Sequence, residues 1–294
     1  MSPIIQHLFD AASLGGIYAL AALGIGLIFG IMGLINFAHG DFFMIGAYVI
    51  FLMSGRPVLV VTATTIVVVI LLALATDRFV FRPIRGAEGA ILLTASFGLS
   101  YLLENIVFMI FGGRPKAVDF GHGLVESVTI GGVRISQLDI FTIAMTAVLL
   151  IGLTLFLRKT RYGTEMRAAA SDFRMARLLG IRANRVVATA FALSGALAAA
   201  VSFLLVVRAG AVSPHMGLMP VLFAFLATII GGMGNLPGAA LGGFILGFVS
   251  VGLQVVLPPD LVQYRDAFLF ALVTISLALF PGGLMPGRQR GERI

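Results

Sequence analysis

An all-α, polytopic transmembrane helix bundle is the fold class this chain predicts, and three observations predict it. Hydrophobic residues make up 59% of its 294 positions, with a mean hydropathy of +1.06, which leaves too little polar surface to clothe a soluble globule. Apolar runs near the roughly 20 residues needed to cross a hydrocarbon core recur along the whole length. Only 11% of residues are charged, and they fall mostly between those runs.

The runs lie at about 9–29, 37–53, 58–76, 90–111, 138–157, 186–207, 218–231, 239–257 and 266–281, giving eight or nine membrane segments in a single domain, 1–294. The first follows MSPIIQHLFD, which lacks the positive n-region of a signal peptide, so it is expected to remain as a span. The segment 158–185 (RKTRYGTEMRAAASDFRMARLLGIRANR) carries eight of the 20 Lys and Arg. If each run crosses fully and this loop is inside, 77–89 (Arg78, Arg82, Arg85) and the tail (Arg288, Arg290, Arg293) are inside too, and 14 of the 20 bases share one side. The outer side keeps Arg56, Arg114, Lys116, Arg134, Arg208 and Arg265. This asymmetry predicts an outside N-terminus and a cytoplasmic C-terminus. It also accounts for the net charge of +7 without a nucleic-acid partner. Cysteine is absent and the four histidines are scattered, so disulfides and thiolate sites are excluded and no metal is expected.

Two runs are short, 37–53 and 218–231, and each adjoins a glycine-rich break: GIMGLINFAHGD at 30–41 and GGMGNLPG at 231–238. They are expected to be broken or re-entrant. One offset of 201 superposes Gly30 on Gly231, Met32 on Met233, Gly33 on Gly234 and Gly46 on Gly247. Gly30, Gly33, Gly231, Gly232, Gly234 and Gly238 are therefore candidate hinges, since matching interrupted segments point to a repeat and a translocation path. Tight helix packing is the plain alternative for most glycines here.

In the outer loop 112–137, ESVTIGGVRIS alternates β-branched and polar residues about Gly131-Gly132, which predicts a small extracytoplasmic β-hairpin. Within the basic loop, Arg167–Ile181 (RAAASDFRMARLLGI) has good helix formers and a stop at Gly180; alternatively Ser171 or Asp172 caps a shorter helix running to Leu179. Phe173, Ala176, Leu178 and Leu179 would form its apolar stripe, with Arg174 and Arg177 pointing elsewhere. Such a helix either lies on anionic head groups or docks a soluble subunit.

Asn36–Asp41 (NFAHGD) is the densest polar cluster beside an apolar run. Asn36 has the chemistry of an N-cap, with His39 and Asp41 in the first turn of the next helix. Capping with a satisfied His–Asp contact near the cytoplasmic face is one reading; a gate or substrate path is the other. Glu104, beside Asn105, shares a helical face with Ser96 and Ser100, and Thr94 and Tyr101 occupy the adjoining strip. A carboxylate at that depth must face the protein interior or water. It either lines a path or subunit interface or bonds, protonated, to a neighbouring helix. No basic partner for it is evident within the apolar runs.

Three stretches, GLINFAHGDFFMIGAY at 33–48, RAAASDFRMARLLGI at 167–181 and GGMGNLPGAALGGFILG at 231–247, resemble the integral-membrane permeases of branched-chain amino-acid ABC importers. YRDAFLFALVTISLALFPGGL extends the likeness towards the C-terminus. The resemblance implies a multi-pass protein of a prokaryotic inner membrane. Its implied partners are a second, related permease chain, two cytoplasmic ATP-binding cassette subunits and an extracytoplasmic binding protein. The cargo would be a hydrophobic amino acid; relatives of this branch also move urea, short amides or other amino acids. By the same resemblance, Arg167, Ala170, Asp172, Arg174, Ala176, Leu178, Leu179 and Gly180 belong to a coupling helix that seats in the ATPase. The permease itself would hydrolyse nothing and hold no cofactor, ATP being bound by the partner; accordingly the sequence contains no GxxxxGK[ST] phosphate loop. An autonomous secondary transporter would need intramembrane charge pairs, a structural scaffold would leave the basic loop unexplained, and an intramembrane enzyme has no supporting constellation.

Overall fold

The computed structural model describes residues 2–121, 123, 126–130, 133–280 and 282–285. The Gly131-Gly132 turn and the arginines at 288, 290 and 293 lie outside the described residues.

The chain runs α1 (Ser2–Met32), α2 (His39–Leu52), α3 (Val58–Ala75) continuing into a π-helical segment (Thr76–Phe81), α4 (Gly89–Phe111), β1 (Lys116–Ala117), β2 (Ser127–Ile130) and β3 (Val133–Ser136). It continues through α5 (Gln137–Lys159), α6 (Arg161–Ser171), α7 (Phe173–Leu178), α8 (Ala183–Ala209), β4 (Ala211–Val212), α9 (Leu218–Gly231), α10 (Leu236–Val256), a 3₁₀ turn (Val262–Tyr264) and α11 (Arg265–Leu279). Among the described residues seven helices are long and apolar enough to cross a membrane, while α2 and α9 are the two shorter apolar ones. The helical bundle and its two short segments are as the sequence predicts.

α1 and α8 form the centre, with 83% and 72% of their apolar windows buried, against 22% or less for α3, α4, α5 and α11. Those outer helices therefore present their apolar faces outward, as a bundle in lipid does. The α1–α10 seam depends on missing side chains. A Cβ on Gly243 would run into the Ala19 backbone, and one on Gly247 into the Gly15 backbone. The two helices thus touch main chain to main chain, a mode that lipid favours because dispersion, not water, drives association there.

At one end of the bundle β2 and β3 pair antiparallel, Ser127 opposite Ser136 and Ile130 opposite Val133, as predicted. β1 pairs with β4, Lys116 opposite Val212, an element with no alternating pattern to announce it. Arg208 on α8 reaches Asp139 on α5 at 3.7 Å and the Ser13 hydroxyl on α1 at 3.4 Å, tying three helices together. At the opposite end lie α6, α7 and the α3–α4 turn. There Leu284 and Met285 donate backbone N–H groups to the carbonyls of Ile230 and Gly231 at 2.7 and 3.2 Å, satisfying the orphan acceptors that end α9.

The two glycine breaks superposed by sequence meet in space. α1 ends at Met32 with Gly33 at φ 65°, and the α9–α10 turn holds Gly232 and Gly234 at φ 107° and 82°. A Cβ on Gly30 would lie 3.9 Å from Gly234, and Gly231 stacks backbone to backbone on Gly238.

Candidate functional site

The break between α1 and α2 places its polar residues in the middle of the bundle, not near the end that bears α6 and α7. His39 is fully buried beside Ser194, midway along α8, with Nδ1 3.3 Å from the Ser194 hydroxyl oxygen. That hydroxyl donates its one proton to the Gly24 carbonyl at 3.0 Å, so the imidazole donates from Nδ1 and presents a lone pair at Nε2. Phe37 N–H donates to Ser96 Oγ at 3.4 Å, and the Phe37 ring stacks on Phe97 with centroids 4.3 Å apart. The break is thereby wedged between α4 and α8.

Asn36 does not cap α2. Ala38 takes that position with no side-chain bond, because a turn of main-chain bonds from His39 to Asn36 and Gly40 to Phe37 (3.2 and 3.3 Å) makes the entry instead. Asn36 is 1% exposed, and among the described residues neither its side-chain oxygen nor its nitrogen has a partner; His39 Nε2 and Asp41 Oδ2 share that condition. The expected His39–Asp41 contact is replaced by separate ones, since His39 turns to Ser194 and Asp41 to the Ser100 hydroxyl, within the field of Glu104.

Glu104 has a basic partner after all: His215, in the turn before α9, pairs with it through Nδ1. It escaped the sequence because it lies in a loop and 111 residues away. Asp41, Ser100, Glu104 and His215 thus gather where α2, α4 and α9 meet. Ser96 sits one turn below, buried and bonded to Leu93 O at 2.8 Å. Asn105 does not join them, because its amide folds back onto Tyr101 O at 2.7 Å; Thr94 and Tyr101 are exposed. The two short helices also start side by side, since a Cβ on Gly40 would lie 2.7 Å from Gly217 O. From there they diverge. α2 runs to the hairpin end, with Tyr48 4.6 Å from Phe111, and α9 runs to the other, ending beside Gly238. Two helix N-termini therefore start at this junction, that of α2 buried and that of α9 beside exposed Leu218 and Met219, and α9 has no acidic residue in its first turn.

The basic loop is two helices rather than one. Arg167 and Ala170 belong to α6, which is anchored by buried Met166 and Ala169. Asp172, at φ −150°, breaks the run and accepts from Met175 N–H at 2.9 Å as the N-cap of α7. α7 closes at Gly180 (φ 85°), with Gly180 N–H bonding to Arg177 O and Ile181 N–H to Ala176 O, both at 3.1 Å. This is a Schellman stop, which glycine permits at little cost. The expected apolar stripe splits in two. Ala176 is 4% exposed and Phe173 half-buried, facing the bundle, whereas Leu178 and Leu179 are 75% and 76% exposed with Met175 beside them. Arg174 is also exposed. Arg85, which composition marked only as a topological charge, joins the buried Asp77 carboxylate to Asn184 Oδ1 at 2.9 Å, fastening the α3–α4 turn to the start of α8.

The family described as branched-chain amino acid transport system / permease component matches residues 7–277. The chain is 34% identical to the high-affinity branched-chain amino acid transport system permease protein BraD of Pseudomonas aeruginosa, over 99% of this chain and 98% of that protein. It is also 34% identical to the LivH permease protein of the corresponding Escherichia coli system, over 99% and 97%. A second permease protein of that E. coli system, LivM, is 27% identical over 94% of this chain and 69% of its own length. No solved structure matches. With the family covering residues 7–277 and full-length relatives at this identity, the chain is a multi-pass membrane protein that belongs to the branched-chain amino acid transport system permease family.

Proposed function

We propose that this chain is one permease subunit of an ATP-driven importer of branched-chain amino acids, set in a prokaryotic inner membrane with its N-terminus outside and its α6–α7 end in the cytoplasm. An extracytoplasmic binding protein delivers the cargo, and two separate cassette subunits hydrolyse ATP. A second, related permease completes the path; that two permease proteins of one E. coli system resemble this chain supports the pairing.

The observation that carries the reading is α7. Its apolar side chains Met175, Leu178 and Leu179 point away from the protein, yet the helix is fixed at both ends by the Asp172 cap and the Gly180 stop. A rigid, outward apolar knob suits a groove on a soluble partner, and a partner that moves it moves α5 and α8 through α6 and the Arg182 connection.

The cargo is a zwitterion with an apolar side chain, and the α2–α4–α9 junction has complementary chemistry. The Asp41 and Glu104 carboxylates suit an ammonium group. At the start of α9 the Leu218 N–H is bonded to His215 O and position 220 is proline, so the Met219 N–H and the positive end of the helix are what suit a carboxylate. Urea and neutral amides would use neither charge. The partial exposure of the Glu104–His215 pair is consistent with a junction that a second permease covers.

The test is reconstitution with the candidate partner subunits in proteoliposomes. Leucine, isoleucine and valine, but not urea, are taken up only with ATP and binding protein. Uptake without ATP would overturn the proposal.

A further inference from the structure

Five arginines converge on one cleft at the α7 end of the bundle. Arg82 and Arg85 come from the α3–α4 turn, Arg177 from α7, and Arg182 and Arg185 from the start of α8, with Phe173 forming an apolar wall; the cleft encloses about 650 Å³. Among the described residues no carboxylate lines it. Asp77 is bonded to Arg85. That bond and the one to Asn184 hold the Arg85 guanidinium in place, and its buried Nε has no partner among the described residues.

Loop arginines that only set topology would splay into water, where mutual repulsion is screened. Here three separate elements aim theirs at a shared concavity, which concentrates positive potential instead. α8 adds to it, being 27 residues long, with no side-chain cap at Arg182 and no acid in its first turn. Its leading N–H groups therefore carry the positive end of a long helix into the same place. Guanidinium forks with backbone N–H groups are the combination that binds phosphate oxygens bidentately. The cleft flanks the ends of two apolar spans, α3 with its π-helical extension and α8, and its volume exceeds that of a single phosphate ion.

We propose that this cleft is a binding site for a phosphate-bearing anion, with an anionic phospholipid head group or a soluble phosphate as its source. Occupancy bridges α7 to the α3–α4 turn and to α8, so the site governs how firmly the α7 knob is held. Binding by the chain alone is independent of cargo and of ATP.

The experiment titrates the full chain, purified in neutral detergent, with phosphatidylglycerol, phosphatidylcholine or inorganic phosphate while following its thermal unfolding midpoint. One variant carries Arg82→Gln with Arg182→Gln. A control, Arg158→Gln with Lys159→Gln, removes the same charge at the same end but outside the cleft. Phosphatidylglycerol raises the midpoint of the wild type and the control, phosphatidylcholine does not, and the cleft variant needs at least roughly tenfold more lipid, as expected for losing two charge-assisted contacts. If inorganic phosphate reproduces the shift and loses it in the same variant, the site stands with a soluble anion as its source. Should the double variant fail to fold, Arg177→Gln on exposed α7 makes the same comparison. Equal responses of cleft and control variants to every ligand would overturn the proposal.

Discussion

At the scale of single residues, what matters most is which charges have room for a visitor. Asp41 lies at the first turn of α2 with one carboxylate oxygen lacking a partner among the described residues, and Glu104 pairs with His215. Asp41→Asn and Glu104→Gln keep size and shape, so the protein still folds and inserts. Each removes one charge-assisted contact to an ammonium group, of about 1.5–3 kcal/mol. The expected result is leucine uptake weakened roughly 10- to 100-fold in proteoliposomes, with wild-type yield of folded chain; unchanged uptake in both would remove these residues from the path. Gly24 shows the opposite kind of constraint. A Cβ there would lie 2.5 Å from His39 Nε2 and 2.7 Å from Cε1, whereas one on Gly98 in α4 meets nothing within 4 Å. Gly24→Ala is therefore expected to lower stability by about 1–3 kcal/mol through overpacking, and Gly98→Ala not to lower it, as thermal unfolding in detergent will report.

At the scale of elements, α7 shows what a sequence can and cannot phase. Asp172 and Gly180 announce a short capped helix, because the cap needs a side-chain acceptor and the stop needs a left-handed residue. The buried face does not announce itself. Six residues make fewer than two turns, so Ala176 and Leu178 fall in one apparent stripe although the first is buried and the second exposed. This distinction reverses an obvious experiment. Ala176→Asp buries a carboxylate against the bundle and damages the fold of the loop, whereas Leu178→Asp with Leu179→Asp alters only the exposed knob. The latter pair is expected to leave expression and thermal stability unchanged while abolishing copurification with the cassette subunits and ATP-dependent uptake. Asp172→Ala is expected to weaken both partially, since losing an N-cap costs about 1 kcal/mol. The α1–α2 break was illegible for a related reason. Asn36 precedes an apolar run as a cap would, but the turn closes with main-chain bonds, and the partners of His39 and Glu104 lie 155 and 111 residues away, where no spacing rule reaches.

At the scale of the whole molecule, hydropathy yields the number of segments and the identity of the two short ones, because span length is set by the bilayer itself. It does not yield the order of packing, since in lipid a buried and a lipid-facing helix are both apolar: α1 and α11 both qualify as spans, yet 83% of one window is buried and 11% of the other. Orientation is a third quantity, set by charge rather than packing. The chain contains no cysteine, so single-cysteine variants report it without background. Val128 on β2 and Arg174 on α7 are both exposed, and one long apolar helix, α5 with 23 residues, lies between them. At 1.5 Å per residue α5 exceeds the roughly 30 Å hydrocarbon core, so the two positions must open on opposite faces. On the proposed topology the loop with eight bases faces the cytoplasm, because the positive-inside rule weighs short loops next to spans most heavily. A membrane-impermeant maleimide applied to intact cells is therefore expected to label Val128→Cys at once and Arg174→Cys only after permeabilisation. Labelling in the reverse order would invert the topology and put α7 beyond reach of any ATPase; labelling of both from outside would mean that α5 does not cross.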